Sequence, residues 1–155
     1  NGRQDDWTEL QGEVYGPRIS EATVFDGALE IIQSLSNVGV EICLISHKTR
    51  TPYIGRAHDL HTAAKTWLEK NKFFSKEGAD WQPEQVFFEV TKEAKVDRIL
   101  QQQCTHFLDD LPEILNLLPE NIKRIQFAPD STEPSEAFAP WQKISHWQEL
   151  PNLVL

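Results

Sequence analysis

Methionine is missing from the 155 residues altogether, even at position 1, which leads us to expect a gene that starts upstream of Asn1. Cysteine occurs only twice, as Cys43 and Cys104, with no CxxC spacing. Both lie inside apolar, strand-like runs, so they read as reduced core residues of a cytoplasmic protein, with a disulfide between neighbouring strands as the alternative. No apolar segment approaches the length of a membrane span, and the amino end, NGRQDDWTEL, has no signal-peptide character. Positive charge is also scarce. Fifteen Lys and Arg face 24 Asp and Glu, a net charge of -9, which argues against a nucleic-acid backbone or an anionic membrane as the main partner and leaves room for a local basic site. There is no internal repeat and no low-complexity segment.

What is present is enough apolar residue, 39%, to build one globular core, and a pattern that alternates between helix and strand. Residues 1–21 are polar, with Trp7, Leu10, Val14 and Tyr15 near helical spacing and Gly16-Pro17 as a breaker, so a helix or a loose lead-in is expected. Ala28, Leu29, Ile31, Ile32 and Leu35 form one helical face after Asp26 or Gly27 as cap. Residues 40–46, VEICLIS, predict a strand that opens into Ser46-His47-Lys48-Thr49-Arg50. A helix over 59–71 follows, with Leu60, Ala63, Ala64, Trp67 and Leu68 inward. Residues 85–90 predict a strand, Thr91 caps a helix over 92–103, and strands at 104–108 and 122–127 flank a short helix over 112–118. Trp141, Ile144, Trp147 and Leu150 predict a final short helix, after a stretch with Pro129, Pro134 and Pro140. The five tryptophans, Trp7 and Trp81 included, read as core or edge packing. The expected class is α/β with a mainly parallel sheet: residues 1–24 as a lead-in or small cap, 25–155 as the core domain.

The chemistry gathers where strands end. In QQQCTHFLDDLPEIL, residues 101–115, an apolar run breaks into Asp109-Asp110, and in an open α/β sheet that edge is where ligands bind. Adjacent carboxylates repel unless a cation or proton lies between them, so the pair reads as an Mg²⁺ site, with Asp110 as a helix cap before Leu111-Pro112 as the plainer alternative. Ser46 at another strand end and Lys92 at a helix start share that edge. A hydroxyl, an ammonium and an acid-held Mg²⁺ suit a dianionic phosphoryl group.

LISHKT, TKEAKVDRI and HFLDDLPEIL, in that order and spacing, resemble the motifs of the haloacid dehalogenase superfamily of phosphohydrolases over residues 25–127. The resemblance implies a three-layer, Rossmann-like sandwich and Mg²⁺-dependent hydrolysis of a small phosphate ester through an aspartyl-phosphate. Ser46 then resembles the residue that hydrogen-bonds the phosphoryl group, or else caps a turn. Lys92 resembles the charge-stabilising lysine, with Lys95 one turn on as the rival and a solvated helix face as the alternative for both; Lys92 is preferred because Val96 and Ile99 follow at inward spacing. Asp109 and Asp110 resemble the metal ligands, with Glu113 further out. His47, Lys48 and Arg50 form a basic rim suited to a substrate's phosphate or carboxylate, or a solvated loop. If residues 7–18 belong to a small cap, they help to choose the substrate.

One family motif is missing. The resemblance implies an Asp-x-Asp nucleophile motif on a central first strand, flanked by residues 40–45 and 104–108, and no Asp-x-Asp occurs here. Asp26 is the nearest mimic, but position 28 is alanine, and a helix cap is the better reading. We therefore expect the central strand and its nucleophile upstream, and residues 1–155 alone to be inactive. The other class of function is a catalytically inactive phosphate- or protein-binding domain of the same shape. His58, Asp59 and His61 are a weaker metal candidate, read more readily as surface helix residues.

Overall fold

The structure, a computed structural model, describes residues 2–129 and 140–155, with the side chains of Asp6 and of residue 8 onward. The side chain of Trp7 and the whole of Pro134 lie outside the described residues. Helix and strand alternate as the sequence pattern predicts, and every strand pair is parallel. The helices are α1 (Gly2–Tyr15), α2 (Ala28–Asn37), α3 (Leu60–Lys70), α4 (Lys92–Gln101), α5 (Pro112–Leu117) and α6 (Pro151–Val154). The strands are β1 (Leu44–His47), β2 (Val86–Glu89), β3 (His106–Asp109), β4 (Lys123–Phe127) and β5 (Gln142–Ile144).

The helix starts follow from local chemistry. The Asp59 carboxylate accepts the Thr62 N–H at 2.8 Å and starts α3, and the Thr91 hydroxyl oxygen accepts the Ala94 N–H at 3.0 Å and starts α4. Pro112 opens α5, where a missing N–H costs nothing. Of the two expected caps of α2, Gly27 holds the position, at φ 75, and a Cβ there would run into the Gln148 side chain.

The strands form two sheets. In one, β1 pairs with β2, Leu44 opposite Val86 through His47 opposite Glu89. In the other, the order is β3-β4-β5, with His106 opposite Lys123 and Ile125 opposite Gln142. Helices cover both faces and tie the halves together. On one face α2 contributes Ile32 to a cluster with Leu68, Phe73, Trp81 and Val86, and Leu35 to another with Ile125, Phe127, Ile144 and Leu150. On the other, Ile99 of α4 and Leu115 of α5, both fully buried, pack with Ile45 and partly buried Phe107. The chain is thus an α/β/α arrangement of three layers whose middle layer is split between β1 and β3.

Two expectations are corrected. Residues 40–43 do not form strand, because ladder bonds need a partner and β1 begins only at Leu44. Residues 141–150 are not one helix: Gln142–Ile144 is a third strand beside β4, followed by a 3-10 turn at Trp147–Glu149 and by α6. The three-residue spacing of Trp141, Ile144, Trp147 and Leu150 mimics a helix, but pairing with β4 satisfies more of the backbone.

Candidate functional site

The C-terminal ends of β1 and β3 open on one cleft of about 1820 Å³ that continues down between the two sheets. Ser46 and Lys48 line it from the β1 side, Asp109 and Asp110 from the end of β3, and Lys95 from α4. Val14, Tyr15 and Ala22 border it from the chain's first 24 residues.

Lys95 and Asp109 form its most buried polar contact. Lys95 Nζ lies 2.5 Å from Asp109 Oδ2, and each side chain is 7% exposed. A lysine tolerates such burial when its stem has apolar company and its charge is met, and here Nζ lies 5.4 Å from the Phe107 ring centre. The other Asp109 oxygen accepts the Leu111 N–H at 2.9 Å, so the turn into α5 holds the carboxylate in place. The cap position of α5 is Leu111, with no side-chain cap, so Asp110 is not the helix cap that the sequence offered as an alternative. Asp110 sits beside this pair with its acid strength reduced: desolvation and then the neighbouring Asp109 charge push its carboxyl above the ordinary range.

Lys48 is turned inward, its Nζ 4.5 Å from the Tyr15 ring centre, and burial pulls its ammonium below the ordinary lysine range. Its carbonyl oxygen is 2.7 Å from His61 Nε2. Further in, burial and the neighbouring Cys104 push the Cys43 thiol up to about 12. The Cys104 thiol is raised too, and both are free, unreactive thiols lining the cleft.

The remaining candidates lie off the cleft. Lys92 Nζ binds Glu113 Oε2 at 2.7 Å on the outer surface, which also occupies Glu113. Arg50 is 77% exposed and faces Asp59 at 3.5 Å, while His47 Nε2 lies 3.2 Å from the Val90 carbonyl oxygen. Asp26 is exposed in the turn before α2 and does not line the cleft. His58 turns to Glu13 at 3.6 Å and His61 to Lys48, so with Asp59 capping α3 these three point to different partners.

Lys95 rather than Lys92 meets Asp109 because of height along the helix. Periodicity places both lysines toward the sheet side, but Lys92 is the first residue of α4, about 4.5 Å further along the axis. A signal was available in the Lys95-Ile99 pair at i, i+4, the two residues that α4 buries.

Among the described residues no group of three or more His, Cys, Asp or Glu side chains gathers as a cation cage. Mg²⁺ is commonly held by one or two carboxylates plus water and substrate oxygens. Asp109 and Asp110 could supply two such carboxylates, although Asp109 shares its carboxylate with Lys95. Cys43 and Cys104 are soft donors unsuited to the ion. The chain matches no family model, and no curated protein matches it in sequence.

Proposed function

We propose that residues 1–155 form the body of an Mg²⁺-dependent phosphoric monoester hydrolase of the haloacid dehalogenase type. Its substrate is a small phosphate ester, and its nucleophilic aspartate comes from outside these residues. The observation that carries the reading is the convergence of Ser46, Lys95, Asp109 and Asp110 on one cleft at the C-terminal ends of parallel strands. In this reading Lys95, rather than Lys92, is the charge-stabilising lysine, because it is buried and fixed by Asp109.

Each residue has a separate task. The Ser46 hydroxyl donates a hydrogen bond to a phosphoryl oxygen. Lys95 balances negative charge that builds up on that group and on the attacking carboxylate, from a site where low solvent content strengthens the interaction. Asp110, with Asp109 behind it, would hold Mg²⁺, whose contribution is to neutralise the phosphoryl oxygens. Lys48 and Tyr15 border the side from which the ester's organic group enters. The attacking carboxylate takes the phosphorus as the ester oxygen leaves and picks up a proton from solvent water, and a second water, giving its proton to solvent, then attacks phosphorus, releases phosphate and restores the carboxylate.

The second reading is a phosphate- or protein-binding domain without catalysis. It is favoured by Asp109 being taken up by Lys95 and by Asp26 lying away from the cleft, so neither of these two carboxylates is placed to act as the nucleophile. Hydrolysis of p-nitrophenyl phosphate, with and without Mg²⁺, by this chain and by one extended upstream separates the two. Turnover in the extended chain alone, reduced on the order of 100-fold by Lys95→Ala or Asp110→Ala, supports the hydrolase. No turnover in either chain, with Mg²⁺ or phosphate still raising Tm, overturns it for the binding domain.

A further inference from the structure

We infer that Lys48 selects for a second acidic group on the substrate, a carboxylate on the ester's organic part that is received at Lys48 Nζ beside the Tyr15 ring. The substrate class is then a short phosphorylated carboxylic acid. The inference rests on the hydrolase reading and adds to it a site separate from the one that takes the phosphoryl group.

The strand sets the spacing. Alternate residues of an extended chain share a face, and the Lys48 N–H still donates to the Glu89 carbonyl at 2.8 Å, so the ladder of β1 runs on past His47. Ser46 and Lys48 therefore leave the strand on the same face, with Cα atoms roughly 7 Å apart. Both line the cleft. A phosphoryl group held by the Ser46 hydroxyl and a carboxylate held by Lys48 are thus joined by a short carbon chain.

The charge at Lys48 has no partner of its own. Lys95 meets Asp109, whereas the Lys48 ammonium meets only the Tyr15 ring face, at 4.5 Å, and burial alone accounts for its weakened hold on the proton, with no neighbouring charge contributing. The acids around it are engaged elsewhere. Glu89 pairs with Arg98 at 2.7 Å, Glu13 faces His58 at 3.6 Å, and Asp59 caps α3 and faces Arg50. A ring face replaces part of the hydration an ammonium loses, but a carboxylate makes the stronger, charge-assisted bond. One ammonium also matches the single charge of a carboxylate, while a second phosphate dianion would be left half neutralised. The neighbouring basic residues do not share the task, since His47 turns to the Val90 carbonyl and Arg50 is 77% exposed beside Asp59.

Tyr15 is placed by a close approach. It ends α1, and a Cβ on Gly12, one turn earlier, would stand 2.9 Å from the Pro52 Cβ, so only a glycine lets α1 lie this near the loop after β1. The ring then shields one side of the ammonium, and the other stays on the cleft.

The test titrates non-hydrolysable phosphonates into the whole 155-residue chain by calorimetry in excess Mg²⁺. Carboxyethyl- and carboxypropylphosphonate carry the second acid; propyl- and butylphosphonate have a methyl group in its place. The expected result is about tenfold tighter binding of a carboxylated probe than of its methyl counterpart. Lys48→Met should abolish that preference and Lys48→Arg keep part of it, with the affinity for inorganic phosphate unchanged in both. Because Lys48→Met removes a half-buried charge without a partner, its Tm should not fall, so a lost preference is not a lost fold. Equal binding of the paired probes, or a preference that survives Lys48→Met, overturns the inference and leaves the hydrolase reading standing. No binding of any phosphonate or of phosphate overturns both.

Discussion

Lys95 and Lys92 are three residues apart, and the structure gives their ion pairs opposite characters. Lys95 and Asp109 are each 7% exposed, whereas Lys92 and Glu113 are 38% and 55% exposed. Removing one member of a buried pair strands the other charge, so Lys95→Ala should destabilise the fold by about 3–5 kcal/mol in urea titration. Lys92→Ala should cost no more than about 1 kcal/mol. The double replacement Lys95→Met with Asp109→Leu should recover most of the loss, since apolar side chains of similar size leave no uncompensated charge. Asp110 makes the pH prediction. Its folded carboxyl is raised, so between the ordinary carboxylate value and the raised one the native state holds more proton than the unfolded chain, and stability falls as pH rises through that window. Asp110→Asn should therefore raise Tm modestly at neutral pH and leave it unchanged below the ordinary value, as read by thermal melts across pH 3–7. Sequence made Asp109, Asp110 and Ser46 visible because they sit where apolar runs stop. It ranked the lysines in the other order because an angular pattern carries no height, and it offered no sign that Lys48 would turn inward onto Tyr15.

At the scale of elements, α4 does the most to position the site, since its capped start and its tight end set where Lys95 and β3 lie. Thr91→Ala should cost about 1 kcal/mol through the lost bond to Ala94. At the other end Gln103 adopts φ 53 and the Cys104 N–H returns to the Ile99 carbonyl, a left-handed stop that glycine makes without strain. Gln103→Gly should gain about 1 kcal/mol, measured by the same urea titration. Leu115→Ala, in the fully buried layer between α5 and β3, should cost about 2–5 kcal/mol. The caps of α2 and α4 and most of the inward residues of α2 to α4 were legible because they are local properties, whereas the cap of α5 falls on Leu111 and not on Asp110. The partner of a strand is not local, which is why β5 was read as helix and why residues 40–43 were read into a ladder that has no neighbour to complete it.

At the scale of the whole molecule, the helices hold together a middle layer that does not hydrogen-bond across its centre. A large apolar cleft in a folded protein should bind anilinonaphthalene sulfonate with a rise in fluorescence, while thermal unfolding stays cooperative. An absence of dye binding by the native chain would mean that the two sheets close on each other in solution. The split has a further consequence for how the chain folds. β1 and β2 are consecutive strands in the sequence, as are β3, β4 and β5, so each half-sheet assembles from neighbouring segments of the chain before α2 can span both. The final closure is then the meeting of the two chain regions at Gly27 and Gln148, where α2 settles beside the Trp147–Glu149 turn. Folding in two units followed by a latch implies that this latch opens first. Under mild denaturant the amides of residues 147–154 should exchange before those of either half-sheet, and each half should then exchange as a block of its own.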